Sequence, residues 1–317
     1  MRILVSCPEF FDYEKFITEE LKAYGDVTFI NDRIGLNFFE SALLRLGLFR
    51  ERIYKKVYGS IRVKLAEEVF DLYLAINVEG FGPTTVDYLA SKSKRRILYM
   101  WDSFSNKPEA LNLISYFDKV LTFDPVDADA RGLLYLPLYY PSCYHSEGRR
   151  HTNREAHSII LIGSLHSNRT KIAAMMNHNF VGFSAVLYVR NVYLFIYRWL
   201  VGEFSWSSYK FVSFTSLSHG EISRIYSRSD IVVDFAHPGQ SGLTNRSFEA
   251  LASGCGLITS NENIKDFEFF DERKIFFVDD WDNQVKMKDW VEKTYDASYD
   301  LEMKNYRIDN WIKRLLQ

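Results

Sequence analysis

Residues Arg2 to Ile30 read RILVSCPEFFDYEKFITEELKAYGDVTFI, and this stretch decides the architecture. Arg2–Cys7 is a short apolar run, rich in β-branched residues and closed by Pro8, the pattern of a buried strand. From Tyr13 to Tyr24, Phe16, Ile17, Leu21 and Tyr24 fall at helical spacing. Gly25 then supplies a helix stop. Asp26–Ile30 is a second strand. Strand, helix and strand in about thirty residues make a βαβ unit, whose crossover requires parallel pairing.

The same alternation continues outward. Leu72–Val78 and Arg96–Trp101 read as strands buried on both faces. Val120–Phe123 is another, turned at Asp124-Pro125, and helical segments over 38–69, 84–92 and 107–116 fill the crossovers. Residues 137–157 carry two prolines and a polar cluster, the composition of a linker. Ser158–Ser164 restarts the pattern with a buried strand. Further strands follow at 209–214, 230–235, 256–260 and 274–278, and 284–317 reads as mostly helical. The aromatic stretch 180–201 is interrupted by Arg190, Asn191 and Arg198, so it reads as a core or interfacial helix rather than a membrane span. The pattern predicts two consecutive alternating α/β domains, 1–145 and 158–317, joined by a linker at 146–157. A length of 317 residues agrees with this at about 150 residues per domain.

Composition narrows the function classes. Lys plus Arg is 39 against 41 Asp plus Glu, a net charge of −2, which argues against nucleic acid as the main partner. Hydrophobic content of 47% with 25% charged residues excludes a disordered chain. Cys7, Cys143 and Cys255 lie far apart with no CxxC pair, which excludes a disulfide scaffold or zinc knuckle and fits a reducing compartment. The apolar run at Met1–Pro8 is too short for a signal peptide, so the expected location is cytoplasmic.

Residues 230–261 carry the most chemical information. A strand over 230–235 meets a Gly- and Pro-containing loop over 236–243. Thr244 then stands at an N-cap position, a short helix runs to Ser253, and Gly254 ends it. Gly239 and Gly242 allow close backbone approach to a ligand, and N–H groups at the helix start point to the same place. The partial positive charge there favours a phosphate or diphosphate. Arg246 in the first turn adds a charge-assisted contact, and Glu249 one turn on is placed to accept from a ribose diol. Loop glycines before a helix usually serve turn chemistry, and a helix glutamate is usually solvated. The weight lies in Gln240, Ser241, Gly242, Leu243, Thr244, Arg246 and Glu249 occurring in one strand–loop–helix unit.

The stretch His237–Leu251, with Gly254 and Leu257–Asn261, resembles the donor-site element of GT-B glycosyltransferases. More narrowly, it is similar to bacterial lipopolysaccharide core or capsule biosynthesis proteins, including the core rhamnosyltransferase type. Ile97–Ser103, Phe123–Pro125 and Leu136–Tyr139 match as well, so the likeness spans both halves. The resemblance implies an α/β protein of the GT-B fold. Two Rossmann-like domains would face each other across a cleft, with nucleotide-sugar held by the C-terminal one and acceptor by the N-terminal one. It also implies that Glu249 binds the nucleotide ribose, while the backbone of Gly242, Leu243 and Thr244 contacts the diphosphate. Many retaining GT-B enzymes carry a second glutamate eight positions earlier, and here that position is Ser241, which puts the double-glutamate mechanism in doubt.

Other positions support a transfer reaction. Gly163 follows the first strand of the second domain, where open α/β sheets bind ligands. Arg169 and Lys171 just beyond it could neutralise a diphosphate leaving group. In the first domain Glu9, Asp12, Glu79 (with Gly80 and Gly82) and Asp102 end strands where an acceptor would enter. An inverting transferase needs a carboxylate or histidine as general base, and Glu79, Asp102 and His237 are the candidates. A loop acid more often caps a turn, and a lone loop histidine is more often structural. The 42–64 segment carries seven basic residues against Glu51, an amphipathic pattern that suits an anionic membrane surface as well as a solvated face. No DxD-type carboxylate pair ends a strand, which points to a metal-independent reaction with no cofactor beyond the nucleotide-sugar co-substrate. The expected function is sugar transfer from a nucleotide-sugar to a cell-envelope glycan: lipopolysaccharide core, O-antigen or capsule. A lipid-linked acceptor would bring peripheral contact with the inner membrane. The alternatives are a non-catalytic nucleotide-sugar or glycan-binding scaffold of an assembly complex and, more weakly, a sugar-nucleotide epimerase.

Overall fold

The computed structural model describes residues 1–144, 157–235, 239–296, 298–299 and 301–317. The 146–157 linker therefore lies outside the described residues except at His157, and His237 lies outside them as well. The chain divides into two compact units: Met1–Leu138 with Gly239–Gly242 and Ile308–Gln317, and Tyr139–Pro238 with Leu243–Arg307.

In the first unit the elements run β1 (Arg2–Cys7), α1 (Tyr13–Leu21), β2 (Asp26–Asn31), α2 (Phe38–Arg45), α3 (Arg50–Lys64), β3 (Phe70–Ile76), α4 (Pro83–Ser91), β4 (Ser93–Met100), β5 (Lys119–Thr122), α5 (Pro125–Arg131) and β6 (Leu134–Tyr135). All six strands are parallel, in the order β2-β1-β3-β4-β5-β6. The apolar runs of β1 and β3 pair inside the sheet, and Leu4, Tyr73 and Leu74 are fully buried. The direction of winding reverses between β1 and β3. Such switch points are where open α/β sheets take their ligands, outside the strands' C-terminal ends.

The second unit contains β7 (Ile159–Ser164), α6 (Ser167–Asn179), β8 (Phe183–Tyr188), α7 (Val192–Leu200), β9 (Val212–Ser213), α8 (His219–Tyr226), β10 (Ile231–Asp234), α9 (Asn245–Ala252), β11 (Gly256–Thr259), β12 (Ile275–Phe277) and α10 (Gln284–Asp289). Its parallel order is β12-β11-β10-β7-β8-β9. Read from β9, that is the doubly wound Rossmann order with its switch point between β7 and β10.

Several elements differ from the sequence reading. The 38–69 helical segment is broken: Gly47 (φ +72°) and Phe49 (φ +55°) adopt left-handed backbone between α2 and α3. The 180–201 stretch is not one helix. Its first part is β8, and Asn191 starts α7 by accepting a hydrogen bond from the Leu194 N–H at 2.8 Å. The 107–116 segment is a 3-10 helix from Pro108 to Tyr116, and the 209–214 strand shrinks to the two residues of β9. The terminal stretch is helical only in pieces. Its last helix, α11 (Ile308–Leu316), clusters with the first unit rather than the second. The cause is a single apolar face: Ile308, Trp311, Ile312 and Leu315 are all buried, with the Trp311 ring edge-on to Tyr99 at 4.8 Å.

Candidate functional site

The second unit's switch point gathers a compact charged group. β7 ends at Gly163-Ser164, and Arg169, in the first turn of α6, folds back over Gly163. A Cβ built on Gly163 would lie 2.7 Å from the Arg169 guanidinium, so the missing side chain is what seats the arginine. Arg169 is 9% exposed, its Nη1 donates to the Ser164 carbonyl at 3.1 Å, and its buried Nε has no hydrogen-bond partner among the described residues. Burial and the neighbouring Arg246 pull its pKa down to about 10, so it stays charged at neutral pH.

Asp234 closes β10 and is 2% exposed. Its carboxylate accepts from the Thr244 hydroxyl at 2.6 Å and the Ser247 hydroxyl at 2.7 Å, and Arg246 Nη1 lies 3.5 Å away. Thr244 does hold the N-cap position of α9, but its side chain makes no capping bond because the hydroxyl is committed to Asp234. The carboxylate thus pins the first turn of α9. Arg169 and Arg246 thus gather with Asp234 beside a helix start, with Glu249 one turn further on, and cations at a helix N-terminus are what an anion site uses.

Glu249, on the next turn of α9, is 1% exposed. Its Oε1 lies 3.7 Å from His219 Nδ1, and that nitrogen is 2.7 Å from the Tyr144 hydroxyl. The glutamate therefore belongs to a buried polar network at the start of α8. Lys171 is exposed and Leu243 is buried.

The loop over 239–242 has partners of its own in the first unit. Gly239 is left-handed at φ +83°, with no atom of the described residues within 4 Å of where a Cβ would stand, and its carbonyl accepts from Ser105 at 3.2 Å. Gln240 is half-buried. The N–H groups of Ser241 and Gly242 donate to Asp124 at 2.9 and 3.3 Å, and the Ser241 hydroxyl binds the same carboxylate. The sequence reading gave Gly242 the task of letting a ligand approach. In the structure a Cβ at that position would meet the Phe123 ring at 2.5 Å, so the glycine is required by packing, and its amide is held by Asp124.

The first unit's candidates sit in two different settings. Glu79, beyond β3, forms ion pairs with Arg33 and with Lys107 (2.8 Å), and its Oε1 accepts from Asn77 Nδ2 at 3.2 Å. Burial raises the carboxyl, but Lys107 and Arg33 outweigh it and hold it below the ordinary glutamate range. Asp102 accepts from the Ser103 N–H at 3.0 Å and from Asn106 Nδ2 at 2.9 Å, the bonds of a turn residue. Glu9 and Asp12 are exposed, and Asp12 pairs with Lys15 at 2.7 Å. Residues not singled out on sequence complete the cluster. Asp32, 1% exposed, accepts from the N–H groups of Glu79 and Gly80 at 2.9 and 3.1 Å, while its Oδ1 is buried without a partner among the described residues. Burial and the adjacent Glu79 push its pKa up to about 6. Asp32, Asp124 and Asp234 share one signal in the sequence: each is a carboxylate at or just beyond the C-terminal end of an apolar strand. Among the described residues no three or more His, Cys, Asp or Glu side chains gather as a metal ion would need.

With this geometry in place, the chain can be set beside known proteins. Residues 188–297 match a family described as glycosyl transferase-like. No curated protein matches the sequence. Among solved structures, the chain is similar to sucrose-phosphate synthase from Thermosynechococcus elongatus (13% identity, 100% of this chain and 98% of that one, TM-score 0.65). It is also similar to Anabaena HepE in complex with UDP-glucose (10% identity, 100% and 98%, TM-score 0.61). A third likeness is to a chain of the glycosylation-associated Gap123 complex from Streptococcus agalactiae (14% identity, TM-score 0.50), covering 84% of this chain and 58% of that one. Two six-stranded parallel sheets with helices define the GT-B fold expected from the sequence. Within it, the stretch holding α7 to α10 carries the glycosyl transferase-like match.

Proposed function

We propose that this protein is a glycosyltransferase that takes a sugar from a nucleotide-sugar held at the β7/β10 switch point and passes it to a bacterial cell-envelope glycan. One observation carries the reading: at the place where a doubly wound sheet takes its ligand, a buried arginine whose Nε has no partner among the described residues stands beside Arg246 and the start of α9. A diphosphate supplies the acceptor oxygens that this arginine lacks, and the same cations stabilise the charge that grows on the departing phosphate. The resemblance of residues 237–261 to GT-B donor elements and the UDP-glucose complex of Anabaena HepE support the same donor class. Glu249 is the candidate ribose contact and Arg246 a second phosphate contact. Ser241 in place of a second glutamate favours an inverting reaction, with the general base drawn from Glu79, Asp102 or His237.

Peripheral attachment to an anionic membrane belongs to this reading. No helix among the described residues is long and apolar enough to cross a membrane. On α7, however, Tyr193 is 80%, Tyr197 62% and Leu200 69% exposed, the interfacial composition that lipid headgroups accept. On α3, Ile53, Val57 and Ile61 turn inward, and Arg52, Lys55 and Arg62 face solvent.

The second reading is a binding module without turnover, and its likeness to a chain of the Gap123 glycosylation complex is the observation that favours it. A thermal-shift screen with UDP-, GDP-, dTDP- and CMP-sugars tests the donor site, because a ligand that binds only the native state raises its stability. Slow hydrolysis of the stabilising donor without acceptor separates enzyme from scaffold. Stabilisation with no hydrolysis and no transfer selects the scaffold, and no stabilisation by any donor refutes both. Epimerised donor selects the third class.

A further inference from the structure

Three buried side chains of the second unit meet at one point, each supplied by a different element: Glu249 by α9, His219 by the first turn of α8, and Tyr144 by the 3-10 turn Ser142–Tyr144. The Tyr144 hydroxyl lies 2.7 Å from His219 Nδ1, and the same nitrogen is 3.7 Å from Glu249 Oε1. The Tyr144 and His219 rings stand edge-on, 5.7 Å between centroids. Backbone contacts fix each member. The Ser253 hydroxyl, just past the end of α9, donates to the Tyr144 carbonyl at 3.2 Å, and the Ser223 hydroxyl of α8 donates to the Cys143 carbonyl at 2.6 Å. Ser218 and Glu221 form a capping box that locks the turn carrying His219. Burial and the adjacent Glu249 push the Tyr144 phenol far above the ordinary tyrosine range, so its hydroxyl keeps its proton and remains a hydrogen-bond donor.

This support changes what Glu249 can do. A carboxylate free about its side-chain torsions turns to follow whichever hydroxyl it meets. One seated against a fixed imidazole presents its second oxygen in a single orientation. Arg246 is the second phosphate contact of the proposed donor site, and Glu249 follows it at about 4.5 Å along the axis of α9. In a nucleotide the 2′,3′-diol follows the phosphate across one furanose ring, so phosphate at Arg246 brings the diol toward Glu249. Ribose offers two O–H donors there, and 2′-deoxyribose offers one. A buried carboxylate deprived of a donor has no water to replace it, and a site built around such a group rejects the analogue that lacks the hydroxyl. We infer that His219 and Tyr144 are positioning residues that hold Glu249 as a reader of the 2′,3′-diol, so that the donor is a ribonucleotide-sugar and a 2′-deoxyribonucleotide is refused. The inference rests on the donor site proposed at the β7/β10 switch point.

Isothermal calorimetry on the full chain tests this with UDP, GDP, CDP and ADP, each set against its 2′-deoxy counterpart, so that base and diphosphate stay constant within a pair. In the pair that binds best, the ribonucleotide should be favoured about ten- to a hundredfold, the weight of one hydrogen bond to a buried charge. Tyr144→Phe removes only the hydroxyl, and His219→Phe removes the polar ring. Either should reduce that ratio to about threefold or less by loosening the carboxylate, with the ribonucleotide alone losing affinity. Arg169→Gln acts on the phosphate and should weaken both members while keeping the ratio. General damage to the unit would also lower both affinities together, so a fall in the ratio reports positioning alone. A ratio near one in the unmodified chain, a preference for a 2′-deoxynucleotide, or a ratio unmoved in folded Tyr144→Phe overturns the inference and leaves the donor site standing. Binding of none of these nucleotides removes the donor site itself, and the inference with it.

Discussion

The guanidinium of Arg169 fills the space that a side chain on residue 163 would need, with a Cβ there falling 2.7 Å from Nη1. Glycine at the end of β7 is therefore a seat for a cation. Gly163→Ala evicts Arg169 from its buried position, and calorimetry with the stabilising nucleotide-sugar should show affinity reduced about tenfold, the loss of one charge-assisted contact. Unchanged affinity in a folded Gly163→Ala protein would detach Arg169 from the donor site.

Asp234 holds the first turn of α9 through Thr244, Ser247 and Arg246. Asp234→Ala strands the buried Ser247 hydroxyl and the half-buried Thr244 hydroxyl and removes the ion pair with Arg246, a loss of about 2–4 kcal/mol in chemical denaturation. Asp234→Asn keeps an acceptor and should cost less than half as much. Equal losses for the two variants would mean that cavity formation, not hydrogen bonding, governs the site.

Asp32 gives stability a pH signature. Its folded pKa of about 6 lies above the unfolded value near 3.8, so between these values the native chain holds a proton that the unfolded chain has released. Its contribution is present in full below about pH 4, declines as pH rises through 6, and changes by about 3 kcal/mol at most. Denaturation at a series of pH values should show this decline in the unmodified protein and its absence in Asp32→Asn. A slope that survives the substitution would assign the proton elsewhere.

The α/β alternation was legible because strands buried on both faces give continuous apolar runs, and both sheets lie where those runs are. The 180–201 stretch misled because aromatic residues suit strands and helices equally. There the Arg190-Asn191 turn, rather than periodicity, marks where β8 ends and α7 begins. The break at Gly47 and Phe49 was hidden by a charge pattern that continues across it. Within the site, Arg169, Arg246 and Glu249 could be found as loop and helix charges. Asp234 could not, because a single carboxylate after Ile231-Val232-Val233 shows no partner in sequence. Gly242 shows the opposite failure: its glycine was visible, but the Phe123 ring that requires it lies over a hundred residues away.

The exposed face of α7 bears on location. Binding to vesicles containing phosphatidylglycerol should fall several-fold when Tyr197 and Leu200 are both replaced by serine, because apolar burial at the interface is lost. Binding to phosphatidylcholine alone should be weak in both proteins. Vesicle binding unaffected by the pair would exclude α7 as the contact.

The account rests most heavily on the β7/β10 switch point as a diphosphate site, and isothermal calorimetry of the unmodified chain against Arg169→Gln, each with the best nucleotide-sugar from the thermal screen, tests it most directly. A loss of ten- to a hundredfold in affinity, with the uncomplexed variant melting close to the unmodified chain, is the expected result. Equal affinity in the two proteins would contradict the claim.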